Sequence, residues 1–205
     1  SNYSAIITSR AFLLFTFYLN YLAGGLDTFG YHLVNLGIHI ATAFAFYLLI
    51  ARYVDDKDDD RYHAMAILAA LLFIVHPINT ESVTYLSSRS SELSTLCMLG
   101  AMLLFFRATE KQFSFFPYTF SLVLFFLGLA SKESAVVLPA LLILFDYYFI
   151  AKKDRTLLSR IKYHLPFWAI MATGFVYNVG RIAHPEMYDR PWTTHLLTEI
   201  TVFVD

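Results

Sequence analysis

Long apolar runs broken by short polar stretches fill almost the whole chain, and the position of each break sets the expected elements. Residues 10–26 are an apolar run closed by the turn-favouring pair Gly24-Gly25. This run is able to cross a membrane or to lie along its surface. Residues 31–53 form a clearer helix, long enough at about 1.5 Å per residue to cross about 30 Å of hydrocarbon. His32, Asn35 and His39 recur on one face of it, so that face must meet protein or water and not lipid.

The charged run at residues 55–61 cannot enter a bilayer and separates two spans. Residues 64–75 are apolar up to His76-Pro77, residues 93–106 lie between Glu92 and Arg107, and residues 113–130 carry no charge. The first two are short and reach across only with their flanking residues or with local thinning. Residues 134–145 continue to Asp146, which reads as a helix-end group. Residues 163–180 are entered through Pro166 and left at Arg181, and the polar, proline-rich residues 184–192 are expected to be an extramembrane loop or an interface segment. Between residues 130 and 135 only Ser131-Lys132-Glu133-Ser134 is polar. The chain must reverse there, because an unbroken helix would carry Lys132 and Glu133 through the membrane centre.

Composition agrees with this reading. Of 205 residues 58% are hydrophobic and only 15% charged, against about 25% charged in soluble domains, and mean hydropathy is +0.55. The expected fold class is all-α, a polytopic transmembrane helical bundle of about six to seven spans. The net charge of −1 says nothing about nucleic acid, but no dense basic patch or stripe is present to bind it, and membrane lipids are the expected partner. The lone Cys97 excludes an intrachain disulfide and reads as a small buried hydrophobe. The opening Ser-Asn-Tyr-Ser has no basic region of a signal peptide, and the chain reads as a piece of a longer one. Asn2-Tyr3-Ser4 matches a glycosylation acceptor, a pattern too common to use.

If every run from residue 31 onward crosses once, most Lys and Arg, among them Arg52, Arg61, Arg107, Lys153 and Arg160, fall on one side, which the positive-inside rule makes cytoplasmic. His32, residues 76–92, residues 131–134 and residues 184–190 then share the opposite face. The stretch 76–92 places His76, Glu81, Arg89 and Glu92 between greasy segments, where ionisable groups are costly without a role. The competing reading is an ordinary helix connection bounded by Pro77, with Arg89 and Glu92 as a surface ion pair worth little.

Four motifs in order carry a resemblance. Arg10 is followed by Leu-Asn-Tyr-Leu-Ala-Gly-Gly at residues 19–25 and Gly-Tyr-His-Leu-Val-Asn-Leu at 30–36 with His39. Then come His-Pro-Ile-Asn-Thr-Glu-Ser-Val at 76–83 with Ser88 to Glu92, and Leu-Ala-Ser-Lys-Glu-Ser at 129–134 with Pro139 and Asp146. This order is similar to the transmembrane and tetratricopeptide-repeat-containing O-mannosyltransferases of the GT-C superfold. The resemblance implies that residues 1–205 are a partial GT-C-like transmembrane domain, with the first span and an acidic catalytic loop ahead of residue 1 and tetratricopeptide repeats beyond the end. The family's usual Arg-Pro is Arg10-Ala11 here.

The implied activity is transfer of a mannose-like sugar from a polyprenyl-phosphate-linked donor to a hydroxyl on a protein or glycan acceptor, on the periplasmic face of a bacterial inner membrane or the lumenal face of the endoplasmic reticulum. No further cofactor is implied. Such chemistry needs cations on the departing phosphate and a carboxylate for the hydroxyl proton. Arg89 and Lys132 are the candidate phosphate partners, with His32, Asn35, His76, Glu81, Glu92 and Glu133 as pocket or orienting residues. Glu81 is the candidate base within the chain, and His39 is expected to pack between helices. No spacing such as His-Glu-x-x-His supports a metal site. A haem carrier would need a second helix with paired histidines. A transporter, or a structural subunit joined to other membrane subunits, is the remaining alternative.

Overall fold

The computed structural model describes residues 10–53, 60–110, 112–151 and 157–183. Every regular element among the described residues is helical. Helix α1 spans Ala11–Gly24, α2 Thr28–Tyr53 and α3 Asp60–Val75. A 3-10 turn at Pro77–Asn79, a short α4 at Thr80–Thr84 and a second 3-10 turn at Leu86–Ser88 lead into α5, Arg89–Thr109. Next come α6 at Phe115–Leu129, a 3-10 stretch at Glu133–Val137, α7 at Leu138–Phe145, a π-helical turn at Asp146–Ala151 and α8 at Leu157–Ala183. Most of the expected charged loop at 55–61, the polar segment 184–192 and the pattern at Asn2 lie outside the described residues.

Helix α5 is the central strut, with α2 packed on one side and α6 on the other. Its Ala101, Met102, Phe105 and Phe106 meet Phe125 of α6, Leu138 and Leu142 of α7, and Phe167 of α8 in one apolar core. Phe105 stands edge-on to both Phe106 and Phe167, the arrangement that ring quadrupoles favour. The α5–α6 seam closes tightly at Gly128, where an added Cβ would lie 3.4 Å from the Cys97 and Ala135 side chains. Cys97 is buried on this seam.

Polar contacts sort the helix ends into two groups. At one end, Arg89 at the start of α5 reaches Tyr31 and Asn35 near the start of α2, and Lys132 just beyond α6 reaches Ser91. At the other, Arg52 near the end of α2 pairs with Glu110 just past α5, and Arg160 of α8 bonds Thr109. Successive long helices therefore run in alternating directions. Helix α1 breaks this alternation, because the Phe12 N–H in its first turn donates to the Ala130 carbonyl, Asn20 meets Arg89, and the Gly25 carbonyl just past it accepts from Tyr31. Both ends of α1 thus touch the same end of the bundle, and the helix lies across that end.

Thr28–Arg52 and Leu86–Thr109 are long and apolar enough to cross a membrane unaided, while Ala11–Gly24, His63–Val75 and Phe115–Leu129 are shorter apolar helices. Of the six to seven expected spans, two are thus long and apolar enough by themselves among the described residues. The run at 134–145 is divided, with α-helix only from Leu138 and Pro139 in its first turn, where a missing N–H costs nothing. The run at 163–180 starts earlier than expected, at Leu157, and carries Pro166 inside the helix. Burial explains the early start: Arg160 and His164 each show only 1% exposure and are anchored to Asp146.

Candidate functional site at the α5 start

The first turns of α5 carry the polar residues around which the described candidates gather. Arg89 is fully buried. Its Nε donates to Asn35 Oδ1 at 2.6 Å, and its terminal nitrogens donate to Asn20 Oδ1 at 3.0 Å and to the Tyr31 carbonyl at 2.9 Å. The guanidinium carbon lies 4.3 Å from the centre of the Phe17 ring, so an aromatic face covers the cation. A planar fork with five donors suits this task, because one side chain satisfies acceptors on two separate helices at once. Arg89 is therefore the knot that ties α1 and α2 to α5, and its charge faces neutral oxygens.

Lys132 is placed differently. It is half-buried in the reversal between α6 and α7, where its ammonium donates to Ser91 Oγ at 2.5 Å. No carboxylate pairs with it among the described residues. Glu133 is exposed and lies 3.9 Å from the exposed Arg10, a contact that solvent weakens to little. Arg10 and Lys132 thus bring two cations to the same hairpin, beside the first turn of α5.

One turn deeper, Glu92 Oε1 and Nδ1 of His39 are hydrogen-bonded at 2.7 Å, and both side chains are buried. Nε2 of the same ring lies 3.3 Å from the Ile74 carbonyl. Glu92 and Arg89 are therefore each buried with separate partners and do not form a surface ion pair. His76 folds over its own turn, with Nδ1 accepting from the Ile78 N–H, and it is exposed. Glu81 and His32 are exposed as well. Of the candidates, Arg89, Asn35, Glu92 and Lys132 gather around the α5 start, Glu133 flanks them, and His32, His76 and Glu81 remain at the surface.

Sequence reasoning missed Asn20, Phe17 and Ser91. Asn20 is the lone amide in an apolar run, which was the signal that could have found it, and the structure buries it at 8% exposure. Asp146 does stand at the end of α7, as a helix-end group would, but it also anchors a buried charged cluster. Asp146 is fully buried, its carboxylate accepts from Arg160 Nε at 2.8 and 2.9 Å and from His164 Nε2 at 2.8 Å, and Arg160 continues to the Thr109 carbonyl and hydroxyl. Burial alone would raise the Asp146 pKa, but the hydrogen bonds from His164 and Arg160, together with their charge, outweigh it and hold it below the ordinary carboxylate range. This cluster lies at the opposite end from Lys132 and joins α5, α7 and α8. Among the described residues no group of three His, Cys, Asp or Glu side chains could hold a metal ion.

The chain is 29% identical over 141 residues to protein O-mannosyl-transferase TMTC3 of Homo sapiens, a match over 68% of this chain and 15% of that protein. It is 31% identical over 138 residues to protein O-mannosyl-transferase F38B6.6 of Caenorhabditis elegans, over 67% of this chain and 19% of the relative. Against protein O-mannosyl-transferase TMTC1 of Homo sapiens the identity is 30% over 154 residues, covering 71% and 17%. The chain thus spans less than a fifth of the length of these relatives. No family model and no solved structure matches it.

Proposed function

Since the chain belongs to the transmembrane and tetratricopeptide-repeat-containing protein O-mannosyl-transferase family, we propose that it is part of a membrane glycosyltransferase domain whose α5 start receives the phosphate of a polyprenyl-phosphate-linked sugar. The observation that carries this reading is Lys132, a half-buried ammonium held only by a serine hydroxyl among the described residues, with Arg10 nearby. A cation without a counter-ion in a poorly solvated corner attracts an anion strongly. Lys132 and Arg10 are the groups that touch the phosphate in this reading, and Arg89 stands behind them as the support.

In the reaction the acceptor hydroxyl oxygen attacks the anomeric carbon and the carbon–oxygen bond to phosphate breaks. The phosphate leaves with the bonding electrons, and the hydroxyl proton passes to a carboxylate. Lys132 opposes the charge that builds on the leaving phosphate. The carboxylate is assigned to the acidic loop that the family pattern places ahead of residue 1, with Glu81 the alternative within this chain.

Helices α2, α3, α5, α6 and α8, with the broken α7, are the crossings of a GT-C-like bundle. Helix α1 lies in the interface, where its exposed Phe15, Tyr18, Tyr21 and Leu22 meet lipid. The α5 start faces the lumen or periplasm, and lipid-linked sugar and a protein or glycan acceptor are the partners. The test is sugar transfer by full-length protein carrying Lys132→Ala at limiting donor. Loss of one charged hydrogen bond of about 2 kcal/mol predicts a fall in turnover of about thirtyfold. Unchanged turnover removes Lys132 from the site.

A further inference from the structure

Hydroxyl groups inside the helices of this chain follow a common habit. Thr42, Thr95, Thr109 and Thr119 each donate to the carbonyl four residues earlier, at 2.8 to 3.0 Å, the local bond that a helix offers a serine or threonine. Ser91, in the first turn of α5, departs from it. Its hydroxyl is turned to the reversal between α6 and α7, where it meets the Lys132 ammonium at 2.5 Å. The Ser87 carbonyl, four residues before it, accepts instead from the Ser90 hydroxyl at 3.2 Å.

The direction of that contact is fixed by the two groups. An ammonium carries donors and no lone pair, so Ser91 Oγ must accept from it and the hydroxyl proton must point elsewhere. The polar groups of the reversal are occupied with one another. The Ser131 and Lys132 N–H groups both donate to the Gly128 carbonyl, Ser131 Oγ donates to the Leu127 carbonyl, and the Lys132 carbonyl accepts from Ala135. On α5 the Ser91 carbonyl accepts from Thr95. The Ser91 hydroxyl proton therefore meets no acceptor among the described residues, and the ammonium meets no carboxylate there.

A hydroxyl that accepts from a cation is polarised into a stronger donor. Ser91 and Lys132 thus present two donors side by side, one of them charged, which suits an anion with two free oxygens. Both residues are half-buried and so remain within reach of a ligand, whereas Arg89 is fully buried. We propose that Ser91 is a second binding residue for the lipid-linked phosphate, its hydroxyl donating to one non-bridging oxygen while Lys132 donates to the other. The assignment rests on the phosphate position proposed above. It makes the first turn of α5 a direct contact of the phosphate, through a side chain that carries no charge.

The test is binding of polyprenyl phosphate, without a sugar, to full-length protein in nanodiscs, for the parent, Ser91→Ala, Lys132→Ala and the double variant. Alanine is the better helix former, so Ser91→Ala keeps the fold. Ser91→Ala is expected to raise Kd by about tenfold, the loss of one hydrogen bond to a charged group. It should raise Kd severalfold again in the Lys132→Ala background, because the hydroxyl touches the phosphate itself; a serine that only steadied the lysine would add nothing there. Weaker binding with Lys132→Ala but not with Ser91→Ala, or a serine effect that vanishes in the double variant, overturns the proposal and leaves the phosphate reading intact. Weaker binding with Ser91→Ala alone supports the serine contact and removes Lys132 from the site. Unchanged binding in all three variants overturns both.

Discussion

Arg89→Ala is expected to destabilise the domain by about 3–5 kcal/mol, the range seen when one partner of a buried charged network is removed. Two effects oppose each other at this position. Deleting a buried cation relieves its desolvation, yet it leaves Asn20, Asn35 and the Tyr31 carbonyl facing nothing, and each unpaired buried group costs about 1–3 kcal/mol. Three such groups and the cavity under Phe17 outweigh the relief. Arg89→Lys should rescue only part of the loss, because an ammonium lacks the planar fork and cannot lie flat on the ring. Unfolding in mixed micelles should therefore rank parent above Lys above Ala. A loss within about 1 kcal/mol for Ala would show that the knot is not structural.

Asp146→Asn is expected to cost about 3 kcal/mol or more, since it leaves Arg160 buried without its counter-charge between α5, α7 and α8. Its pH signature follows from the lowered Asp146 pKa. A carboxyl whose folded value lies below its unfolded one stabilises fully above the unfolded value, about 3.9, and that contribution is lost as pH falls through the folded value. The parent should weaken only in acid, and Asp146→Asn should lose that acid component while being less stable at neutral pH. Chemical unfolding midpoints at about pH 7 and pH 3 check both parts. Equal midpoints for the two proteins at neutral pH would contradict this account.

Much of the helical layout was legible because apolar runs and their polar interruptions follow directly from what a bilayer tolerates. The reversal at Ser131 to Ser134 emerged from the cost of carrying Lys132 and Glu133 across, and the structure has α6 end at Leu129 before it. Side-chain direction was not legible in the same way. Arg89 and Lys132 look alike as cations at helix ends, yet one is fully buried in neutral oxygens and the other is half-buried on a serine. Their difference depends on Asn35, which α2 brings against α5, and on Asn20, which approaches only after α1 folds across the end of the bundle. Asp146 read as a helix-end group and Arg160 as one of the basic residues of the cytoplasmic side, and their burial depends on α8 reaching back to Thr109, a contact that no local pattern encodes.

The central claim is that the phosphate of a lipid-linked sugar rests at the α5 start beside Lys132. The most direct measurement is photo-crosslinking of full-length protein in nanodiscs with a polyprenyl phosphate bearing a photoreactive group next to the phosphate, followed by peptide mapping. The account predicts label within residues 88–92 and 130–134, competed by unlabelled polyprenyl phosphate and reduced by Lys132→Ala. Label concentrated instead near Glu110, Asp146 or Arg160, at the other end of the bundle, would contradict it.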